Sequence, residues 1–264
     1  MPHSNKTKSV TRIAIAVLAS CTGILLMALP TQGQDTSPPP AAPAAAPAPA
    51  APPTWSVGGI DFSGLIDGYF TGNFNNPASG LNQLQNFNFY SNQFSLGMAK
   101  VTAAHSPDPV GFQLDLGYGK AFDVINSAEP SGSGLRNIEQ AYVSLKPAKA
   151  KGFEADFGQF VTSAGAEVIE SMTNWNYSHS LLFAYAIPYF HFGLRTSMPV
   201  TKTFTAGVQV VNGWNDTVDN NTGKTFGFTS VYTKPKYTLY TNYYVGPENS
   251  GTNVGWRNLI DANL

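Results

Sequence analysis

From residue 60 onward the chain alternates between a large apolar side chain and a small or polar one, segment after segment. A period of two belongs to a β-strand whose two faces meet different surroundings. Residues 111–120 show it most cleanly: Phe112, Leu114, Leu116 and Tyr118 interleave with Gln113, Asp115, Gly117 and Gly119. In residues 189–197, Phe190, Phe192 and Leu194 oppose His191, Gly193, Arg195 and Ser197, and in 204–212, Phe204, Ala206, Val208 and Val210 oppose Thr205, Gly207 and Gln209. Residues 60–70 set Phe62, Ile66 and Phe70 against Asp61, Ser63 and Asp67. Weaker copies run through Phe94/Leu96/Met98, Val143/Leu145, Phe153/Ala155/Phe157, Phe226/Phe228 and Tyr237/Leu239/Tyr243, and a last one begins near Trp256. The pattern predicts about ten strands.

Breakers separate the segments: Ser106-Pro107-Asp108-Pro109, Glu129-Pro130-Ser131-Gly132, Lys146-Pro147, Met198-Pro199, Lys234-Pro235 and Gly246-Pro247. Proline donates no ladder hydrogen bond and is confined to turns and edges. Some connections are short, such as 233–236; others are long and polar, such as 75–92 and 212–224. That alternation predicts an antiparallel meander with tight turns at one end and loops at the other. Residues 162–188 fit no strand, and they read as a long loop folded into a lumen.

Two architectures produce period-two strands. A soluble sandwich hides its apolar face in a core; an outer-membrane barrel turns that face to lipid and keeps the other polar. Here the second face is small and polar, and charged residues make up only 12% of the chain, no more than the aromatics. Tyr69 and Phe70, Tyr118 and Phe122, Trp214, Tyr232, Tyr243 and Tyr244, and Trp256 sit near segment ends, where a barrel carries its aromatic girdles. The fold predicted is all-β: an antiparallel up-and-down transmembrane β-barrel over residues 55–264.

The first residues read as an export signal. Lys6, Lys8 and Arg12 precede an apolar run over 13–29, and small residues at Thr31 and Gly33 suit signal-peptidase cleavage. This assigns 1–33 to a signal peptide. A retained membrane anchor is the alternative, and Leu18-Ala19-Ser20-Cys21 leaves lipidation at Cys21 open. Residues 34–54 are rich in proline and alanine, a composition that builds no core and favours an extended spacer. With its single cysteine in the leader, the remainder has no disulfide and no cysteine-based metal site.

Sequence motifs for chemistry are scarce. A formal net charge of −1 gives no footprint for nucleic acid. The four histidines (His3, His105, His179 and His191) are scattered, so neither a metal nor another cofactor is expected. Asn176-Tyr177-Ser178-His179-Ser180 comes nearest to a nucleophile with its base, yet adjacency supplies neither a hydrogen-bonded pair nor an oxyanion hole. No enzymatic activity is expected. The residues of interest are instead those that period two directs into the lumen: Asp115, Glu154, Asp156, His191, Arg195 and Gln209, together with Glu167 in the inward-folded segment. Glu154 with Asp156, and His191 with Arg195, form acidic and basic rungs that would set a field across a pore.

The chain also resembles the OmpL-like β-barrel porins of Gram-negative-type bacteria. The resemblance lies in Arg136…Glu139-Gln140-Ala141-Tyr142-Val143, in Phe157-Gly158-Gln159-Phe160-Val161-Thr162…Gly165…Glu167, in Asn176-Tyr177-Ser178 with Ile187-Pro188, and in Val211-Asn212-Gly213-Trp214-Asn215. It covers most of residues 57–230, in the expected order. It implies a porin in the cell outer membrane that passes small hydrophilic solutes or ions by diffusion, with membrane lipid as its surroundings and a homo-oligomer among its options. The competing reading is a non-conducting structural or adhesive barrel. Such porins are usually longer and end on an aromatic residue, whereas this sequence stops at Asn263-Leu264; a member whose barrel continues further is the expectation.

Overall fold

The computed structural model describes residues 55–264; the predicted signal peptide (1–33) and Pro/Ala spacer (34–54) lie outside the described residues. Eleven strands form one antiparallel sheet in which each strand pairs with its sequence neighbours. In order they are β1 (Trp55–Val57), β2 (Ile60–Phe70), β3 (Phe94–His105), β4 (Val110–Tyr118), β5 (Ile138–Leu145), β6 (Glu154–Val161), β7 (Phe190–Pro199), β8 (Phe204–Val211), β9 (Thr225–Lys234), β10 (Tyr237–Pro247) and β11 (Trp256–Asn263). The predicted strands correspond to β2 through β11. The three-residue β1 is too short to show a period; Gly58 and Gly59, at φ +62° and +82°, fold it back on β2 in a two-residue turn that needs positive φ twice. The sheet is open among the described residues, with β1 and β11 as its edges.

Connections alternate as the breakers predicted. Turns at 58–59, 106–109, 146–153, 200–203 and 235–236 share one end of the sheet. The long connections 71–93, 119–137, 162–189, 212–224 and 248–255 share the other. They contain two short helices, α1 (Lys120–Ile125) and α2 (Leu181–Tyr185), neither of which has enough turns to show a helical period in the sequence.

The two faces of the sheet differ as a barrel requires. Register pairs carry an apolar band across one face: Val101 opposite Leu116, Val143 opposite Phe157, Phe157 opposite Leu194, Val208 opposite Phe228, and Tyr243 opposite Ile260. Apart from half-buried Tyr243 these residues are exposed, up to 80% for Ile260. The other face carries Lys100, Asp115, Ser144, Asp156, His191, Gln209 and Asn242, all buried. Apolar outside and polar inside is the reverse of a water-soluble core.

Buried apolar side chains do cluster, but at the long-connection end. Phe87 from 71–93, Phe122 and Ile125 from α1, and Ile169 and Phe183 from 162–189 pack with Met98, Tyr189 and Phe190 at strand ends. The cluster ties the connections to one another as a cap.

Four residues stand elsewhere than the sequence pattern puts them. That pattern places Met98 on the face of Phe94 and Leu96, but the register shifts so that Asp67 opposes Met98 while the next residue, Gly68, opposes Leu96. Gly97 is the extra residue of this bulge, and Met98 turns to the buried face. The sequence pattern puts Tyr69 and Tyr244 in the girdles together with their neighbours Phe70 and Tyr243. Adjacent strand residues cannot both face outward, and Tyr69 and Tyr244 are the buried members. Phe122 belongs to α1 and packs into the cap rather than a girdle.

Candidate functional site

The inner face is organised by hydrogen bonds between neighbouring strands and the segment 162–189. On β3, Lys100 points inward because it alternates with Val101, whose side chain is exposed. On β5 a second register shift lets Asp115 oppose Gln140 and Leu116 oppose Ile138, so that Glu139 is the extra residue. The bulge aims consecutive side chains inward, Glu139 to Lys100 and Gln140 to Asp115. Lys100 Nζ lies 3.1 Å from Glu139 Oε1 and also pairs with Glu170, from the long connection. Burial alone would raise the Glu170 carboxyl, but the charge and hydrogen bond of Lys100 outweigh it and hold it below the usual carboxylate range. Glu139 Oε2 is buried without a hydrogen-bond partner among the described residues.

Of the residues expected in the lumen, Asp115 accepts from Thr102 Oγ1 at 2.5 Å, Gln113 Nε2 at 3.0 Å and Gln140 Nε2 at 2.7 Å. These donors are all neutral. Asp156 accepts from Ser144 Oγ at 2.6 Å and Arg195 Nε at 2.7 Å, and the Arg195 guanidinium lies over the rings of Tyr142 and Phe160. His191 is fully buried. Its Nδ1 donates to the Gly213 carbonyl at 2.8 Å and its ring stacks on Tyr244 with centroids 4.8 Å apart. The structure therefore does not join Arg195 and His191 as an open basic rung: Asp156 pairs with the one, and the other is sealed by its neighbours. Glu154 is at the short-turn end, where it accepts from Lys146 at 2.8 Å.

Gln209, on β8, belongs to a network that anchors the start of the long segment. Ser163 Oγ donates to Asn242 Oδ1 at 2.8 Å and is 2.7 Å from the Tyr244 hydroxyl, with Gln209 Nε2 3.5 Å away. Asn242 Nδ2 donates to the Ser163 carbonyl and to Asp261 on β11. The middle of the segment reaches the opposite strands. Glu170 holds Lys100 on β3, and the Tyr177 hydroxyl donates to Asp67 on β2 at 2.9 Å. Residues 162–189 thus touch the same face of strands near both edges of the sheet, so the sheet curls around them. Glu167 does not reach the wall; it accepts from the Ser180 backbone and hydroxyl, and Ser180 caps α2 through Phe183 N. A cavity of about 390 Å³ remains between this segment, at Gly165, Glu167, Ser180 and Ile187, and β11, at Leu259 and Asp261.

The pairing that a Ser-His mechanism needs is not made. His179 Nε2 lies 2.8 Å from the Val168 carbonyl and 3.0 Å from Asn174, its ring packs against Phe87 and Phe183, and burial lowers its pKa. Ser180 bonds Glu167. Among the described residues no group of His, Cys, Asp and Glu gathers as a metal site. At the long-connection end, burial first and then Glu248, Asp219 and Glu129 push Asp216 up to about 6. Glu248, itself raised by burial, accepts from Trp214 N and Thr225 Oγ1.

Sequence reasoning missed Lys100, the centre of the most buried charge cluster. Its signal was present, a lone lysine among alanine, valine and threonine with the parity of Thr102, but the bulge at Gly97 broke the period that would have placed it.

No curated protein and no solved structure matches the chain. A family model does, over residues 59–264, nearly all of the described sheet. It is that of "Putative beta-barrel porin-2, OmpL-like", and with most of its length matched in one block the chain belongs to this family of β-barrel porins.

Proposed function

We propose that the protein is an outer-membrane channel through which small hydrophilic solutes or ions pass by diffusion, without chemistry. The observation that carries this reading is the polarity of the sheet: its exposed face is apolar from β2 to β11, and its inner face is lined with carboxylates, amides and hydroxyls. Lipid suits the first face and a hydrated path the second. The tethered segment 162–189 then narrows that path instead of lining it passively, and the cavity beside β11 is space it leaves. Export through the predicted signal peptide and residence in the outer membrane complete the reading.

The test is conduction. Full-length protein, shown to be folded by a gel mobility that changes on boiling, is added to planar bilayers in potassium chloride. Stepwise conductance is expected. Folded protein that inserts and gives no steps would instead support the structural or adhesive barrel, with the Ser163–Asn242–Tyr244 network as part of a closed interior.

A further inference from the structure

Charges are unevenly distributed between the two ends of this sheet, although Asp61, Asp108 and Glu154 also lie at the short-turn end. The turns 146–153, 200–203 and 235–236, with the last residue of β9, carry Lys146, Lys149, Lys151, Lys202, Lys234 and Lys236, all exposed. These turns are contiguous. A side-chain carbon at Gly152 would lie 3.1 Å from Pro199 at the end of β7, and Thr203 accepts a hydrogen bond from Thr233 N beside Lys234. Lys146 pairs with Glu154, but among the described residues no carboxylate lies within ion-pair distance of the other five. The opposite end carries Asp123, Glu129, Glu167, Glu170, Asp216, Asp219 and Glu248 against Lys120, Arg136, Lys224 and Arg257.

The position of the lysines is as telling as their number. Leu145 and Met198 stand on the exposed apolar face where β5 and β7 run into these turns, and Tyr237 stands on it where β10 leaves the last one. Lys234 lies over the ring of Tyr232, 5.2 Å from its centroid. A row of ammonium groups at the border of an apolar band is where a bilayer presents its phosphates, and a lysine stem can lie along the acyl surface while its head reaches them.

We propose that this short-turn rim is a binding collar for the phosphate headgroups of anionic phospholipid in the leaflet that it borders. The inference rests on the barrel reading, because the collar has a leaflet to face only if the apolar band lies in lipid. The acidic far end repels the same headgroups, so the collar also favours one direction of insertion.

The test measures lipid beside the protein. Full-length protein is reconstituted in phosphatidylcholine vesicles with a trace of spin-labelled phosphatidylglycerol or spin-labelled phosphatidylcholine, and the motionally restricted fraction is read from the spectrum. The phosphatidylglycerol probe is expected to associate more strongly, and 0.5 M salt to weaken that preference. The quadruple variant K149Q/K151Q/K202Q/K236Q should bring it down to near parity with the phosphatidylcholine probe, since each lysine near an anionic headgroup contributes. The variant K120Q/K224Q, at the far end, should keep it. Equal association of the two probes with the native chain, or a preference that survives in the quadruple variant or falls equally in the far-end variant, would overturn the collar. Absence of restricted lipid of either kind would instead overturn the barrel reading beneath it.

Discussion

Lys100 shows what a charge costs in such an interior. Its ammonium group is nearly inaccessible and compensates Glu139, which is buried more deeply still. Removing one partner of a buried pair strands the other, at about 3–5 kcal/mol, whereas an exposed pair is worth about 0–1 kcal/mol. Lys100→Met should therefore lower the urea midpoint of the detergent-folded protein far more than Lys146→Met, which breaks only the exposed pair with Glu154. Equal midpoints would mean that Glu139 and Glu170 find other partners. At the long-connection end, Asp216 makes a pH prediction. Its ordinary value is 3.8 and the folded chain raises it to about 6. Between those values the folded state holds the additional proton, so stability contributed by this end falls as pH rises through that window and returns on acidification. After correction for intrinsic rates, the amides of Asn212 and Asn215, bonded to Phe192 and Phe190, should exchange more slowly at pH 5 than at pH 7.5. Asp216→Asn should reduce the difference, leaving the smaller part that Glu248, also raised by burial, contributes. Parity alone put Asp115, Asp156, His191, Arg195 and Gln209 on one face of their strands. It could not say that Asp156 would pair with Arg195 or that Gly213 would close over His191, because those partners depend on register and on connections distant in sequence.

At the scale of elements, strands were legible where their two faces meet chemically different surroundings, as in β4, β7 and β8. They blurred where one residue too many entered the ladder, at Gly97 and Glu139. The long connections were legible as connections but not in content: Phe87, Ile169 and Phe183 lie far apart in sequence and become a core only when three loops meet. The strand faces make a direct mutational prediction. Val208 on β8 is on the exposed apolar face; Thr205, three residues earlier, has the parity of buried Gln209. Arginine at Val208 should cost about 2–4 kcal/mol near a bilayer midplane, and arginine at Thr205 much less. Reversible unfolding from lipid vesicles measures both. Similar costs would mean that the register of β8 is not the one described, since a slip of one residue exchanges the faces.

For the whole molecule, the proposed function requires the exposed face of the sheet to meet lipid and the curled face to meet water. Family membership agrees with this, and the low share of charged residues in the sequence points the same way. Curvature was not readable, because it follows from the tethering of 162–189 to Asp67 and Lys100 on one side and to Asn242 and Tyr244 on the other. The most direct measurement uses the scarcity of cysteine. With Cys21→Ser as background, single cysteines at 207, 208, 209 and 210 on β8 and at 226, 227, 228 and 229 on β9 are spin-labelled in reconstituted vesicles. Collisions with oxygen, which concentrates in the bilayer, are compared with those of a water-soluble nickel chelate. High oxygen access is expected at 208, 210, 226 and 228, and low access at 207, 209, 227 and 229. A flat profile, or the same alternation with its phase reversed, would contradict it.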